Sequence, residues 1–246
     1  MLFRKNYLFP LSLVALTVVS ISSCTKDEDS DDHDNSSIIF NPNLSYGTMT
    51  DVEGNTYKTI QIGNQTWMAE NLRTTKYNDG SNIHRLIADS AWYYTTTEGL
   101  FYTYNDTYNT DTIRTMGMLY TWDAVNTNNL APAGWHVPTQ AEWDTLMDNL
   151  GGLNTAGGKM KETGFTHWSD PNTDATNESG FTALPAGRMY LVSSSYTHYS
   201  FSALYWSATS FSAGEAVFYG LGHEYGAVSV GHSQKKYGYS VRCIKN

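Results

Sequence analysis

The chain has 246 residues, of which 40% are hydrophobic, 14% aromatic and only 16% charged, and its formal net charge is −9. This is enough apolar material for one sizeable core, and the acidic balance argues against a nucleic-acid binder, which needs a basic face. Low charge together with 18 Tyr and 7 Trp favours a β-rich, loop-rich extracytoplasmic domain over a helical one.

The first element is a secretory signal. Arg4 and Lys5 give a positive start, Tyr7 to Val19 form an apolar run broken by Pro10, and small residues lead into Cys24. The run is too short for a comfortable membrane span. Ile21-Ser-Ser-Cys24 resembles a bacterial lipobox, which implies cleavage after residue 23 and lipidation of Cys24. Thr25–Asp34 carries six acids, one Lys and no apolar residue. Such a run repels itself and cannot bury surface, so residues 24–45 are expected to be a disordered tether. An acidic stretch after the lipidated Cys resembles the surface-export signal of Bacteroidota lipoproteins. That implies an outer-membrane protein, anchored through its lipid and facing the cell exterior. With Cys24 acylated, Cys243 has no partner for a disulfide. Cys243 sits in the alternating stretch Tyr239–Ile244 and reads as a buried, inert thiol sharing a face with Tyr239 and Val241.

The globular part is expected over residues 46–246. Asp51–Asn55 reads as a turn. Thr56–Ile62 alternates, Gly63-Asn64 is a two-residue hairpin signal, and Gln65–Leu72 returns as the second strand. Residues 73–114 are rich in Thr, Tyr, Asn and Asp and resist assignment. Leu119, Trp122 and Val125 have helical spacing, with Asn126–Asn129 as a stop. From Ala203 the chain reads as strands with Gly-containing turns. Ala216–Leu221, Ala227–Val230 and Tyr239–Ile244 suggest a meander.

Between these lies GWHVPTQAEWD at 134–144, where a His stands near two carboxylates. The stretch has a structural explanation. Thr139-Gln-Ala-Glu142 fits a capping box, in which the Thr139 hydroxyl accepts from the Glu142 N–H and the Glu142 carboxylate accepts from the Thr139 N–H. Trp143, Leu146, Met147 and Leu150 then form one apolar stripe, and Gly151-Gly152 ends the helix. His136 is left without an assigned role, beside Trp135. The patterned tryptophans Trp67, Trp122, Trp135, Trp143 and Trp206 are expected in the core.

Seven ordered segments carry a family resemblance: TWMAENLRTTKYNDG, LYTWDAVN, GWHVPTQAEWDTL, AGGKMKETG, HWSDPNTDATNESGFTALPAGR, YWSAT and GYSVRCIKN. Together they are similar to the Fibrobacter succinogenes major paralogous domain family, from about Tyr46 to Asn246. The family implies an exported, often lipid-anchored bacterial protein without a defined activity. More distantly, VPTQAEWD is similar to a segment of formylglycine-generating-enzyme-like domains. That resemblance implies an α+β, C-type-lectin-like fold with two main helices, a small mainly antiparallel sheet and long loops. It does not imply the activity, because those enzymes bind copper through two cysteines and this domain has only Cys243.

Other signatures fail. Gly222-His-Glu224 lacks a second His, since residue 227 is Ala. GGLNTAGGKM has Leu153 where a P-loop needs Gly and Met160 where it needs Ser or Thr. There is no G-x-S-x-G, and the His residues show no metal-ligand spacing. Two function classes stay open, with a third behind them. One is a non-catalytic surface module that binds a glycan or protein. Its candidate contacts are the unpatterned aromatics Trp92, Tyr93, Tyr94, Tyr102, Tyr104, Tyr196 and Tyr199, with calcium a candidate ligand of the Asn/Asp-rich loops. The second is an enzyme of unrecognised type on polysaccharide, with Asp170, Asp174 and Glu178 as candidate acids. The third is a structural subunit of a surface assembly.

Overall fold

The computed structural model describes residues 37–86, 97–190 and 195–246. The signal peptide, Cys24 and the acidic run lie outside these residues, as do Trp92, Tyr93 and Tyr94.

The strands come first. Asp51 fixes the opening turn: its carboxylate accepts from the N–H groups of Glu53 and Asn55 and from the Tyr57 hydroxyl. β1 (Gly47–Thr50), β2 (Thr56–Ile62) and β3 (Gln65–Met68) form antiparallel hairpins. The β2–β3 turn is the expected Gly63-Asn64, with Gly63 at φ 60° and no room for a Cβ beside the Asn149 amide. The sheet is completed by β7 (Trp135–His136) and β13 (Ile244–Lys245), in the order β1-β2-β3-β13-β7. A second sheet is the antiparallel meander of β10 (Ser202–Ser210), β11 (Glu215–Gly222) and β12 (Val228–Gln234). A third joins β4 (His84–Arg85), β5 (Leu100–Tyr102) and β6 (Leu119–Tyr120), and β8 (Arg188–Tyr190) pairs with β9 (Ser195–Thr197).

The central strands of both large sheets are covered on two faces. Tyr57, Met68, Leu204, Trp206 and Cys243 belong to one apolar cluster, while their chain neighbours Ile60, Trp67, Tyr205 and Ile244 belong to another. This is why Ala203–Trp206 is a continuous apolar run and not an alternating one. The helices are short. α1 is Thr110–Met116, α2 Trp122–Val125, α3 Gln140–Asn149 and α4 Leu153–Met160. α3 has the capping box, and its Trp143, Leu146, Met147 and Leu150 pack into the second cluster. The Gly-rich GGKM run is not a phosphate loop but the body of α4. A Cβ on Gly157 would come within 2.8 Å of the Gly226 and Ala227 carbonyl oxygens.

The expected α+β, C-type-lectin-like fold is therefore overturned. The chain is mostly β, 32% strand and 16% helix, in several sheets, without two dominant helices. The capping box is a correct local reading, but a ten-residue helix does not set the class. Leu119–Val125 yields one helical turn because Leu119 is held in β6 opposite Tyr102. The C-terminal segment likewise leaves the meander. After single bridges at Tyr239 and Ser240 it enters the first sheet between β3 and β7. The packed domain also begins before Tyr46. Ile38 packs on a third cluster, Phe40 and Leu44 on the second, and the Ile39 N–H donates to Glu162 Oε1 at 2.6 Å.

Candidate binding surface

Of the seven candidate aromatics, four are described and three of those come together. β5 ends at Tyr102, and the chain turns through a 3-10 element at Tyr104–Asp106, where Asn105 and Asp106 adopt φ of 50° and 52°. That turn carries the Tyr104 ring away from the strand face. Across from it, β9 and the following residues present Tyr196 and Tyr199, with His198 and Ser200 both at φ 65°. The Tyr199 ring stacks on Tyr104 at 4.4 Å, and Tyr196 meets Tyr104 edge-on at 5.4 Å. All three rings are half-buried. Tyr102, by contrast, is fully enclosed among Leu86, Leu100, Met116 and Met189 and is withdrawn as a surface contact. Its position in a β-bridged strand over the core, and not its neighbours in sequence, decides this.

Two residues without an assigned role complete the surface. Arg85 Nη2 donates to Thr103 Oγ1 at 2.7 Å and to the carbonyls of Asp106 and Thr107 at 2.9 and 3.0 Å. Its guanidinium lies 3.8 Å from the centre of the Tyr108 ring, which is 72% exposed. Arg85 thus braces the strained turn and backs an outward-facing ring. Tyr108 stands in the same Asn/Thr/Tyr stretch as Tyr104 and was identifiable by the same criterion, whereas nothing in the sequence marks Arg85. The Tyr196 hydroxyl donates to Asp106 Oδ1. Burial, then the Asp106 carboxylate, pushes the Tyr196 phenol well up. Burial also raises Tyr104 and Tyr199. At neutral pH the platform is uncharged phenol, with apolar faces and polar tips. Non-Gly residues held at positive φ cost free energy, and four of the nine among the described residues flank this ring cluster.

Of the groups that suggested catalysis, His136, Glu142 and Glu178 have structural partners. His136 Nε2 lies 2.7 Å from Glu142 Oε1 and its Nδ1 2.6 Å from Asn246 Oδ1, so both ring nitrogens are engaged. Glu142 serves the helix cap and this pair together. Glu178 forms an exposed pair with Lys159 at 3.0 Å. Asp174 packs against Gly158 and Gly226. A second His–Glu pair, His167 Nδ1 to Glu162 Oε2 at 2.6 Å, is sealed from solvent. Beside it the fully buried Lys161 donates to the carbonyls of Thr173, Gly222 and Tyr225, and burial lowers its pKa to about 8 against the pull of Asp174. Burial likewise raises the enclosed Cys243 thiol far above the range of a reactive cysteine. Among the described residues no group of three or more His, Cys, Asp or Glu can hold a metal ion, and no helix is long and apolar enough to cross a membrane.

Comparison with known proteins gives one result. No curated protein and no solved structure matches the chain. The model of the Fibrobacter succinogenes major domain matches residues 60–245, which run from the end of β2 through β3, the capped helix and the meander to β13. The chain belongs to the Fibrobacter succinogenes major domain family.

Proposed function

We propose that this protein is an exported lipoprotein, anchored at Cys24 to the outer membrane and facing the cell exterior, whose domain is a non-catalytic binding module for a glycan or protein ligand. The observation that carries the binding role is the ring platform of Tyr104, Tyr196 and Tyr199 with the outward Tyr108 beside it. Neutral phenols with apolar faces stack on sugar rings or on apolar side chains, and their hydroxyls hydrogen-bond at the edge. The anchor rests on the signal-like N-terminus and the lipobox-like Ile21–Cys24. Calcium is proposed as an accessory ligand of the Asn/Asp-rich loops.

A glycan array and a cell-surface protein panel, each run with and without calcium, test the binding role. Tyr104→Ala and Tyr199→Ala should abolish capture at near-unchanged melting temperature. Capture that survives both changes places the site elsewhere. The anchor is tested by Cys24→Ser, which should release the protein from the membrane fraction. A variant that stays membrane-bound overturns it.

A further inference from the structure

The β10–β11–β12 sheet has one closed edge and one open edge. On β10 the Trp206 N–H donates to the Ser240 carbonyl, and the Leu204 carbonyl accepts from Ser240 N–H. The backbone groups of residues 204 and 206 therefore face away from β11, and those of 203 and 205 face it. Carried through the register Tyr205↔Tyr219 and Phe218↔Gly231, this alternation points the groups of Ser229, Gly231 and Ser233 at β11. The N–H and C=O groups of Val230 and His232 point outward. No other described residue hydrogen-bonds to these four outward groups.

Folded proteins protect such an edge with charge, proline, a bulge or a cover. β12 uses none of the first three here. Val228–Gln234 contains no Asp, Glu, Lys, Arg or Pro, and its pairing with β11 runs without a register shift. Val230 is 40% exposed and the His232 side chain 45%. The sequence around the middle of the edge contains nothing that opposes self-pairing. An antiparallel pairing of two β12 strands about a two-fold at Gly231 sets glycine opposite glycine, Val230 opposite His232 and Ser229 opposite Ser233. Gly231 then occupies the non-hydrogen-bonded position, where strands approach closest and a missing Cβ helps. Val230 and His232 occupy the hydrogen-bonded positions, as their outward groups require.

We infer that β12 is a homodimerisation edge that pairs antiparallel with β12 of a second copy. The pairing exchanges four backbone hydrogen bonds between Val230 and His232 of each copy and builds a six-stranded sheet. It places no like-charged carboxylates or ammonium groups opposite each other. It also stops at two copies. The other edge of the same sheet is already bonded to Ser240, so a head-to-tail chain of sheets has no acceptor edge.

Sedimentation velocity of the full chain, with Cys24→Ser so that no acyl group drives association, tests this up to about 100 μM protein. A concentration-dependent dimer is expected. Val230→Pro and His232→Pro each remove an outward N–H that the monomer's own sheet does not use, so the fold tolerates them. By symmetry each deletes two intermolecular bonds and should weaken the dimer about 30-fold. The circular dichroism of the monomer should be unchanged. Slowed exchange of the Val230 and His232 amides on raising the protein concentration is the second expected readout. A monomer throughout the range, species larger than a dimer, or a dimer indifferent to both prolines with exchange unchanged overturns the inference.

Discussion

Two stacked ring pairs show how differently one kind of contact can be used. Trp143 and Tyr219 stack at 4.8 Å with planes 14° apart, and both are fully enclosed. Tyr104 and Tyr199 stack at 4.4 Å and 30°, and both remain half-exposed. The first pair joins a capped helix to a paired strand, so regular backbone brings the rings together and the Tyr219 hydroxyl ends on Asp144. The second pair joins two irregular turns whose flanking Asn105, Asp106, His198 and Ser200 hold left-handed backbone. In these two pairs, regular elements sink the rings into the core, whereas left-handed turns hold them near the surface. Ring chemistry alone does not set the depth of either pair; the backbone beneath it does.

That contrast can be broken or sharpened by substitution. The largest effect is expected from Arg242→Ala. This guanidinium is fully buried and donates to the carbonyls of Met68, Phe181 and Thr182 and to Asn71 Oδ1, so its loss leaves four buried acceptors unmet. A cost of at least about 3–5 kcal/mol is expected in urea denaturation. Trp143→Ala should cost about 3–5 kcal/mol by leaving a cavity in the second cluster. Thr139→Ala, which removes one arm of the capping box, should cost about 1 kcal/mol without changing ligand capture. Tyr199→Ala should cost only about 0.5–1 kcal/mol while abolishing capture. A Tyr199→Ala penalty as large as that of Trp143→Ala would place the surface pair in the core class.

The smallest effect concerns acid. Burial raises Glu142, but the Thr139 N–H and His136 outweigh it and hold the carboxylate below its ordinary value of 4.5. A lowered carboxylate contributes stability above its unfolded value and loses it as pH falls through the folded one. Wild type should therefore lose less than about 1 kcal/mol of cap stability below pH 4.5, and Glu142→Gln should lack this component. Thermal melts of the two chains across pH 3–5 would read the difference.

Much of the local structure was legible. Gly63-Asn64 set the hairpin, Thr139 and Glu142 set the start of α3, and the apolar runs at 203–206 and 216–221 became paired strands. The fold class was not, because it depends on how short strands group into sheets, and a capping box says nothing about that. Arg242 was invisible for a related reason. In an alternating stretch it reads as an outward charge, yet it is fully enclosed by carbonyls from two distant segments. Tyr102 and Tyr104 share a parity and were read alike. A turn beginning after Tyr102 separates them, and no periodicity announces it. Residues 38–44 follow an acidic run and read as tether. Three of their apolar side chains, Ile38, Phe40 and Leu44, find the domain surface only in three dimensions.

The position of β13 has a consequence for how the domain closes. It lies between β3 and β7, so the most C-terminal of the described strands fills the gap in a sheet whose other members come much earlier in the sequence. Without Ile244, Trp67 keeps only its β2 neighbour Ile60, and β7 is joined to nothing else in that sheet. Without Arg242, the carbonyls of Met68, Phe181 and Thr182 lack their guanidinium donor. Completion of this sheet therefore depends on contacts between residues far apart in sequence, not on local hairpins alone. Closing it is a long-range event that ties both ends of the domain together.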